Sequence, residues 1–353
     1  MVVRNSRIRG FASDTNAGIC PEAWEALDRA NRGHAPAYGF DSHTQEARAA
    51  IQDVFGTDCQ AYFVFTGSAA NSLAVAHLCR SYELAICHET AHLDLGECGG
   101  PEFFSGGSKV LPLPGEHGRL DAAGIRNAVE TRTRDFQYPA PRLVSLTQAT
   151  EAGTVYSQEQ LREISNLCRE LGLRVHMDGA RLANALIHLG CEPADTTWRA
   201  GVDVLSFGCT KNGLPQGEAV VFFNRELASG FKYRWKQSGQ VASKMRFLSA
   251  PWTALLKSGA WLHNARHANA CAARLERGLR RLEGIRIAYP REANGVFVRL
   301  KPGWAAALRQ RGWTVGIMPG GAARFMCSWD TRDADIDALI HDFRDLADDP
   351  AFP

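Results

Sequence analysis

The stretch Val175-His176-Met177-Asp178-Gly179-Ala180-Arg181 decides how this chain folds. Arg174–Met177 reads as a short buried strand, and the apolar run Ala180–Leu189 starts a helix directly behind it. A strand that runs into a helix with almost no loop is half of a βαβ unit. Working outward, the same alternation recurs. Ala61–Phe65 is a strand ahead of a helix over Ala70–Cys79, and Leu84–Cys87 and Lys109–Leu113 are short strands. Asp121 caps a helical stretch ahead of the strand Arg142–Leu146. Ser157 and Gln160 have the capping-box spacing and open an amphipathic helix through Leu171. Val202–Phe207 and Ala219–Phe223 complete the series. Strands separated by helices predict an α/β domain with a mainly parallel sheet, whose ligands bind at the carboxyl ends of the strands.

The character changes further on. Gly239–Ala265 reads as helical, and beyond about Ala270 a helix, strands at Ile285–Ala288 and Gly295–Leu300, and a last helix from Asp335 make an α+β pattern. The expected division is an N-terminal arm and large domain over residues 1–255 and a small C-terminal domain over 256–353. A chain of 353 residues with 45% hydrophobic content fits about two domains with real cores.

Composition narrows the function classes. Lys and Arg number 40 against 38 Asp and Glu, a formal charge of +2, so no basic excess exists to drive nucleic-acid binding. No apolar run nears the roughly 18–20 residues that cross a bilayer. Arg4, Arg7 and Arg9 are followed by no apolar stretch of a secretory signal. Ten cysteines without a C-x-x-C pair read as reduced thiols, so the expectation is a cytoplasmic enzyme.

The chemistry-bearing residues gather at strand ends. Asp178 ends one strand, with Arg181 just beyond it. Val202–Phe207 leads into Gly208-Cys209-Thr210-Lys211, which delivers a lysine to the same sheet edge. Ala61–Phe65 leads into Thr66-Gly67-Ser68-Ala69, where Gly67 permits close backbone approach and the helix beginning at Ser68 offers free N–H groups to an anion. An amine, a carboxylate and a phosphate cradle are the three needs of pyridoxal phosphate. Lys211, Asp178 and Gly67–Ala69 would supply them.

Met177-Asp178-Gly179-Ala180-Arg181-Leu182-Ala183-Asn184-Ala185 resembles the signature of the L-threonine aldolase family. His92, Glu97, Gly99 and Gly100 fit that family's H-x-x-x-x-E-x-G-G block, Ser13-Asp14-Thr15 its Ser-Asp block, and Tyr38-Gly39 its Tyr-Gly turn. Cys98–Ser105 and Ser243–Ala250 are more similar to the phenylserine aldolase branch. The resemblance runs from about residue 10 to the end of the chain. It implies a type I, aspartate aminotransferase-like fold, and a homo-oligomer (dimer or homotetramer) with active sites shared between subunits. It also implies retro-aldol Cα–Cβ scission of L-β-hydroxy-α-amino acids, such as threonine and phenylserine, to glycine and an aldehyde.

By the same resemblance, Lys211 would hold pyridoxal 5'-phosphate as a Schiff base and Asp178 would pair with its pyridine nitrogen. His92 would stack on the ring, and Gly67, Ser68 and Ala69 would hold the phosphate. Arg181 would reach the cofactor's phenolic oxygen and, with Ser13 and Arg324, the substrate carboxylate. Tyr38 would enter a neighbouring subunit's site. Many members carry a histidine in the loop after the strand Arg142–Leu146; here Glu151 occupies that place. The catalytic base stays open between His92, a water and Glu151, with His92 favoured because imidazole titrates nearest working pH.

Two readings compete. Another type I pyridoxal-phosphate enzyme, a β-eliminating lyase or aminotransferase, would use the same fold and cofactor. His88-Glu89-Thr90-Ala91-His92 is a literal H-E-x-x-H and would make a zinc hydrolase if it lay on a helix. The strand before it and the glycines after it argue against that, so no metal is expected. His176 reads as structural.

Overall fold

The structure is a computed structural model that describes residues 10–349; Arg4, Arg7 and Arg9 lie outside the described residues. Seven strands form the large sheet: β1 (Gln60–Val64), β2 (Glu83–His88), β3 (Lys109–Leu113), β4 (Ala140–Thr147), β5 (Arg174–Gly179), β6 (Val204–Phe207) and β7 (Glu218–Phe222). Their order is β1-β7-β6-β5-β4-β2-β3. All run parallel except β7, which is antiparallel to both β1 and β6. Every residue of β6 and β7 is buried, as expected of strands covered by helices on both faces. The crossovers bring the carboxyl ends of β1, β2, β4, β5 and β6 to one edge. Because β7 runs the other way, it brings its first residue, Glu218, to that edge.

A second sheet of four antiparallel strands has the order β10-β11-β9-β8, with β8 Arg286–Ile287, β9 Gly295–Arg299, β10 Gly316–Ile317 and β11 Ala323–Met326. It has its own core of Leu275, Val296, Trp304, Phe325, Ile336 and Phe343, apart from the core of the large sheet. The chain's beginning is anchored there: Met326 N–H donates to the Phe11 carbonyl at 2.7 Å, and Arg324 Nη2 donates to the Ala12 carbonyl at 3.0 Å. Residues 11–15 are thereby held between the two sheets.

Local signals explain most elements. Asp121 caps its helix by accepting from Gly124 N, and Ser157 and Gln160 make the reciprocal capping box ahead of Gln158–Glu170. Differences fall where turn chemistry wins. The helix read over Gly239–Ala265 is two helices, Arg246–Lys257 and Ala260–Leu279, because Gly259 takes φ +74° between them. The helix after β1 starts at Gly67, one residue before Ser68, because Thr66 is the N-cap. After β5 the helix starts at Leu182 and not Ala180, since the strand runs on to Gly179.

Candidate active site

An 850 Å³ cavity opens where the strand ends of the large sheet face the second sheet. Ser13, Gly67, Ser68, His92, Glu151, Asp178, Arg181, Lys211 and Arg324 all line it. A lone helix terminus or strand end says little; residues from five strand ends and β11 converging on one cavity say much more.

Asp178 completes β5 and is fixed on both oxygens, accepting from Asn71 Nδ2 at 2.8 Å and from Ala180 N–H at 2.9 Å. The other hydrogen of the Asn71 amide goes to Glu97 Oε1 at 3.0 Å, so one buried amide bridges two carboxylates. Glu97 also accepts from His92 Nδ1 at 2.8 Å. That hydrogen bond raises the His92 imidazole above its ordinary value, against the opposing effect of its partial burial. The imidazole lies flat on Gly96: a Cβ there would stand 2.5 Å from ring atoms. Behind Asp178, His176 is fully buried, with Ser145 and Ser206 hydroxyls 2.9 Å from its two ring nitrogens. Burial pushes it down to about 4, so it is a neutral packing group and not a proton carrier.

Glu151 stands in the loop beyond β4. Its Oε1 accepts from His92 N–H at 2.7 Å and from Thr147 Oγ1 at 3.3 Å, while its buried Oε2 has no partner. Burial, reinforced by the charge of Asp178, pushes the carboxyl up to about 7. Such a group can take or give a proton at neutral pH.

On the far wall, Arg181 forms a two-pronged pair with Asp14, Nε to Oδ2 at 2.7 Å and Nη2 to Oδ1 at 2.9 Å. Burial pushes the Asp14 carboxyl up, but Arg181, with help from Lys211 and Asn294, holds it below the ordinary range. Asn294 Nδ2 adds a bond to Asp14 at 2.9 Å. Arg324 has a buried Nε without a partner. Burial and the nearby charge of Arg181 both push its guanidinium down. Two guanidinium groups with one shared counter-charge leave a place for an anion.

One expectation changes, and two other residues are placed. Ala69 does not line the cavity, and its N–H is already donated to Thr66 Oγ1 at 3.1 Å, so it is not free for a phosphate. Tyr38 is 51% exposed and lies outside the cavity; Lys236 Nζ sits 5.1 Å from its ring centroid. It has no part in this chain's own cavity. The H-E-x-x-H stretch is no helix. His88 ends β2, accepts from Thr90 N–H at Nδ1 (3.0 Å) and faces the Gly115 carbonyl at Nε2 (3.0 Å), while His92 is turned to Glu97. The two imidazoles share no face for a zinc ion.

Sequence reading placed Asp14 and Glu97 in motif blocks without a role of their own and did not single out Asn71, Asn294 or Glu218. Asn71 was within reach, being one helical turn after Gly67 and so on the cavity face. Glu218 was not, because only the reversed direction of β7 places it there.

Beta-eliminating lyases as a family match residues 10–302 of the chain. The chain belongs to this family. Its relatives include the low specificity L-threonine aldolases of Pseudomonas sp. and Pseudomonas aeruginosa, each 54% identical over 335 residues, 95% of this chain and 96% of theirs. Among solved structures, a threonine aldolase of Leishmania major superposes with a TM-score of 0.89 at 29% identity, covering 96% of this chain and 99% of that one. The type I fold and the place of the chain among the threonine aldolases follow, and pyridoxal 5'-phosphate is the cofactor of these lyases.

The residues present fit that cofactor. Lys211 supplies the only primary amine among the cavity-lining residues, and Asp178 a buried carboxylate. Gly67 and Ser68 begin a helix of 12 residues whose amino end opens on the cavity. Gly96 lets the His92 ring lie back from the space a planar ring needs.

Proposed function

We propose that this chain is a pyridoxal-phosphate-dependent aldolase that cleaves L-β-hydroxy-α-amino acids, L-threonine and L-phenylserine among them, to glycine and an aldehyde. The observation that carries the reading is Glu151: a carboxyl titrating near 7, with one bare oxygen, in the same cavity as Lys211 and a paired-arginine wall.

When bound, the cofactor supplies an electron sink for the pair released at Cα. The chain's residues do the rest. Lys211 would anchor the cofactor, Asp178 would meet its pyridine nitrogen, Gly67 and Ser68 would hold its phosphate, and His92 would lie against its ring. Arg324, with its unpartnered Nε, and Arg181, braced by Asp14, take the substrate carboxylate with Ser13 alongside. Glu151 Oε2 would take the β-hydroxyl proton as the aldehyde C=O forms and the Cα–Cβ pair passes to the electron sink, and a proton delivered back to Cα would complete glycine. The preference for His92 as base rested on titration near neutrality; Glu151 meets that condition too, and its free oxygen favours it. Phe297, Met318 and Met326 make an apolar wall suited to an aryl side chain, which supports phenylserine as a substrate.

The same reading includes a cytoplasmic homo-oligomer, dimer or tetramer, in which Tyr38 serves a neighbour's site. The division at 1–255 and 256–353 is kept as part of this reading, although Leu256, Ala260, Trp261 and Ala265 still pack into the large core, while Phe11 joins Cys271 and later residues in the small one.

The test is direct. Purified protein is given L-threonine or L-phenylserine, and glycine and the matching aldehyde are measured; borohydride treatment and peptide mapping then locate the cofactor. Equimolar glycine and aldehyde, with the cofactor trapped on Lys211 and lost in Lys211→Ala, are expected. A chain that releases no aldehyde from either substrate overturns the reading.

A further inference from the structure

Glu151 owes its place to the turn it rides on. The chain leaves β4 at Thr147 and doubles back, with Thr150 N–H donating to the Thr154 carbonyl and Gly153 N–H to the Thr150 carbonyl, each at 2.9 Å. Thr154 Oγ1 then donates to the His117 carbonyl at 2.6 Å. Those bonds shape the turn from one side. The other side is held by residues 291–294, a strap between β8 and β9. Glu292 N–H donates to the Gly153 carbonyl at 3.1 Å, and the Glu292 carboxylate accepts from Val155 N–H at 2.6 Å. Arg119 closes the clasp: its Nη1 donates to the Val155 carbonyl at 3.2 Å and lies 3.6 Å from Glu292 Oε2.

The neighbours of Glu292 on the strap work on the same site. Ala293 packs with Ala149 and Val155, which flank the turn. Asn294 Nδ2 donates to Asp14, the brace of Arg181. Arg291 pairs with Glu276 of the helix Ala260–Leu279 at 2.8 Å, which fixes the start of the strap. Glu292, Ala293 and Asn294 thus touch both the turn that carries Glu151 and the pair that holds the arginine wall. A neutral acceptor could satisfy Val155 N–H, but a carboxylate paired with Arg119 binds it more strongly and fixes its direction.

We infer that Glu292 is a positioning residue for Glu151: it fastens the turn beyond β4 to the strap of the second sheet, so the seating of that sheet sets where Glu151 stands. The inference rests on the reading of Glu151 as the general base. Glu292 acts through place and not through charge. The charges that bear on Glu151 are those of Asp178, His92 and Arg181, with Cys87 and Tyr156 also near it. Burial is what lifts the Glu151 carboxyl to about 7, so a turn that swings outward admits water and lowers that value toward the ordinary 4.5.

The test uses the cofactor-loaded enzyme. Wild type, Glu292→Ala and Glu292→Gln are compared for kcat and KM with L-threonine from pH 5 to 9, with melting temperatures alongside. Ala leaves Val155 N–H without its acceptor, whereas Gln retains an oxygen for it. Glu292→Ala is expected to lower kcat about tenfold with KM little changed, the effect of a base slightly out of place. It is also expected to move the rising limb of kcat about one pH unit to the acid side. Glu292→Gln brings both back near wild type. A merely structural role would lower the melting temperature and leave the limb in place, and an unmoved limb in Glu292→Ala overturns the inference. Should Glu292→Ala fail to fold, Glu292→Asp, one methylene short of Val155, decides: an acid-shifted limb supports the assignment and an unshifted one refutes it. A Glu151→Gln variant that keeps its cleavage would instead overturn the base reading, whatever Glu292 does.

Discussion

Replacing Glu151 by Gln separates what this side chain does for chemistry from what it does to the fold. The carboxyl ordinarily titrates at 4.5 and in the folded chain at about 7. The folded state therefore holds more protons than the unfolded one across that window, and stability falls as pH rises through it. Below 4.5 both states are protonated and the penalty vanishes. The full shift corresponds to roughly 3 kcal/mol, reduced to about 2 kcal/mol for water entering the open cavity. Gln cannot ionise, so Glu151→Gln is expected to be more stable than wild type by about 2 kcal/mol at pH 8.5 and equal to it near pH 4. Urea denaturation of the cofactor-free protein at both pH values reads this. Activity moves the other way: loss of a general base costs about 10²–10⁴ in turnover and removes the rising limb of the rate near pH 7. A variant that keeps its aldol cleavage would return the base to His92. A variant no more stable at pH 8.5 than wild type would show that the carboxyl is not desolvated, and the reasoning behind its role would fall.

Two further outcomes follow from the arginine wall and the His92 shelf. Asp14→Asn leaves Arg181 buried without its counter-charge and is expected to cost about 3 kcal/mol at neutral pH by chemical denaturation. Because the Asp14 carboxyl is held below its ordinary value, that difference exists above about pH 4 and shrinks as pH falls through the folded-state value. A pH-independent loss would contradict the pairing. Gly96→Ala places a Cβ where the His92 ring lies, 2.5 Å from Cδ2 and Nε2. The ring is displaced while the fold is spared, so aldehyde release drops about tenfold or more with little change in melting temperature; unaltered turnover would remove His92 from the cofactor's face.

Much of this could be read along the chain. Asp178, Lys211 and Gly67 announce themselves because each ends a short apolar run that can only be a strand, and the carboxyl ends of parallel strands share an edge. The resemblance to the threonine aldolases put His92 and Glu97 in one block, and the structure joins them by a 2.8 Å hydrogen bond. The literal H-E-x-x-H was set aside on the strand before it and the glycines after it, and in the structure His88 ends a strand while His92 opens a short separate helix. Ala69 lies one residue beyond the cradle because the Thr66 cap consumes its N–H.

The sequence by itself determined the alternation of strands and helices, hence the sheet edge where the ligand binds and the residues that must stand there. Those follow from local periodicity and turn chemistry, which act over a few residues. The tertiary structure alone decided the charges of that site. Arg181 waits on Asp14, 167 positions away, and Asp14 on Asn294, 280 positions away. Glu218 enters only because one strand runs backwards. Glu151 and Glu218 become groups that titrate near neutrality only when burial strips their water. Desolvation and pairing depend on what the whole fold brings near, and no local pattern encodes that distance.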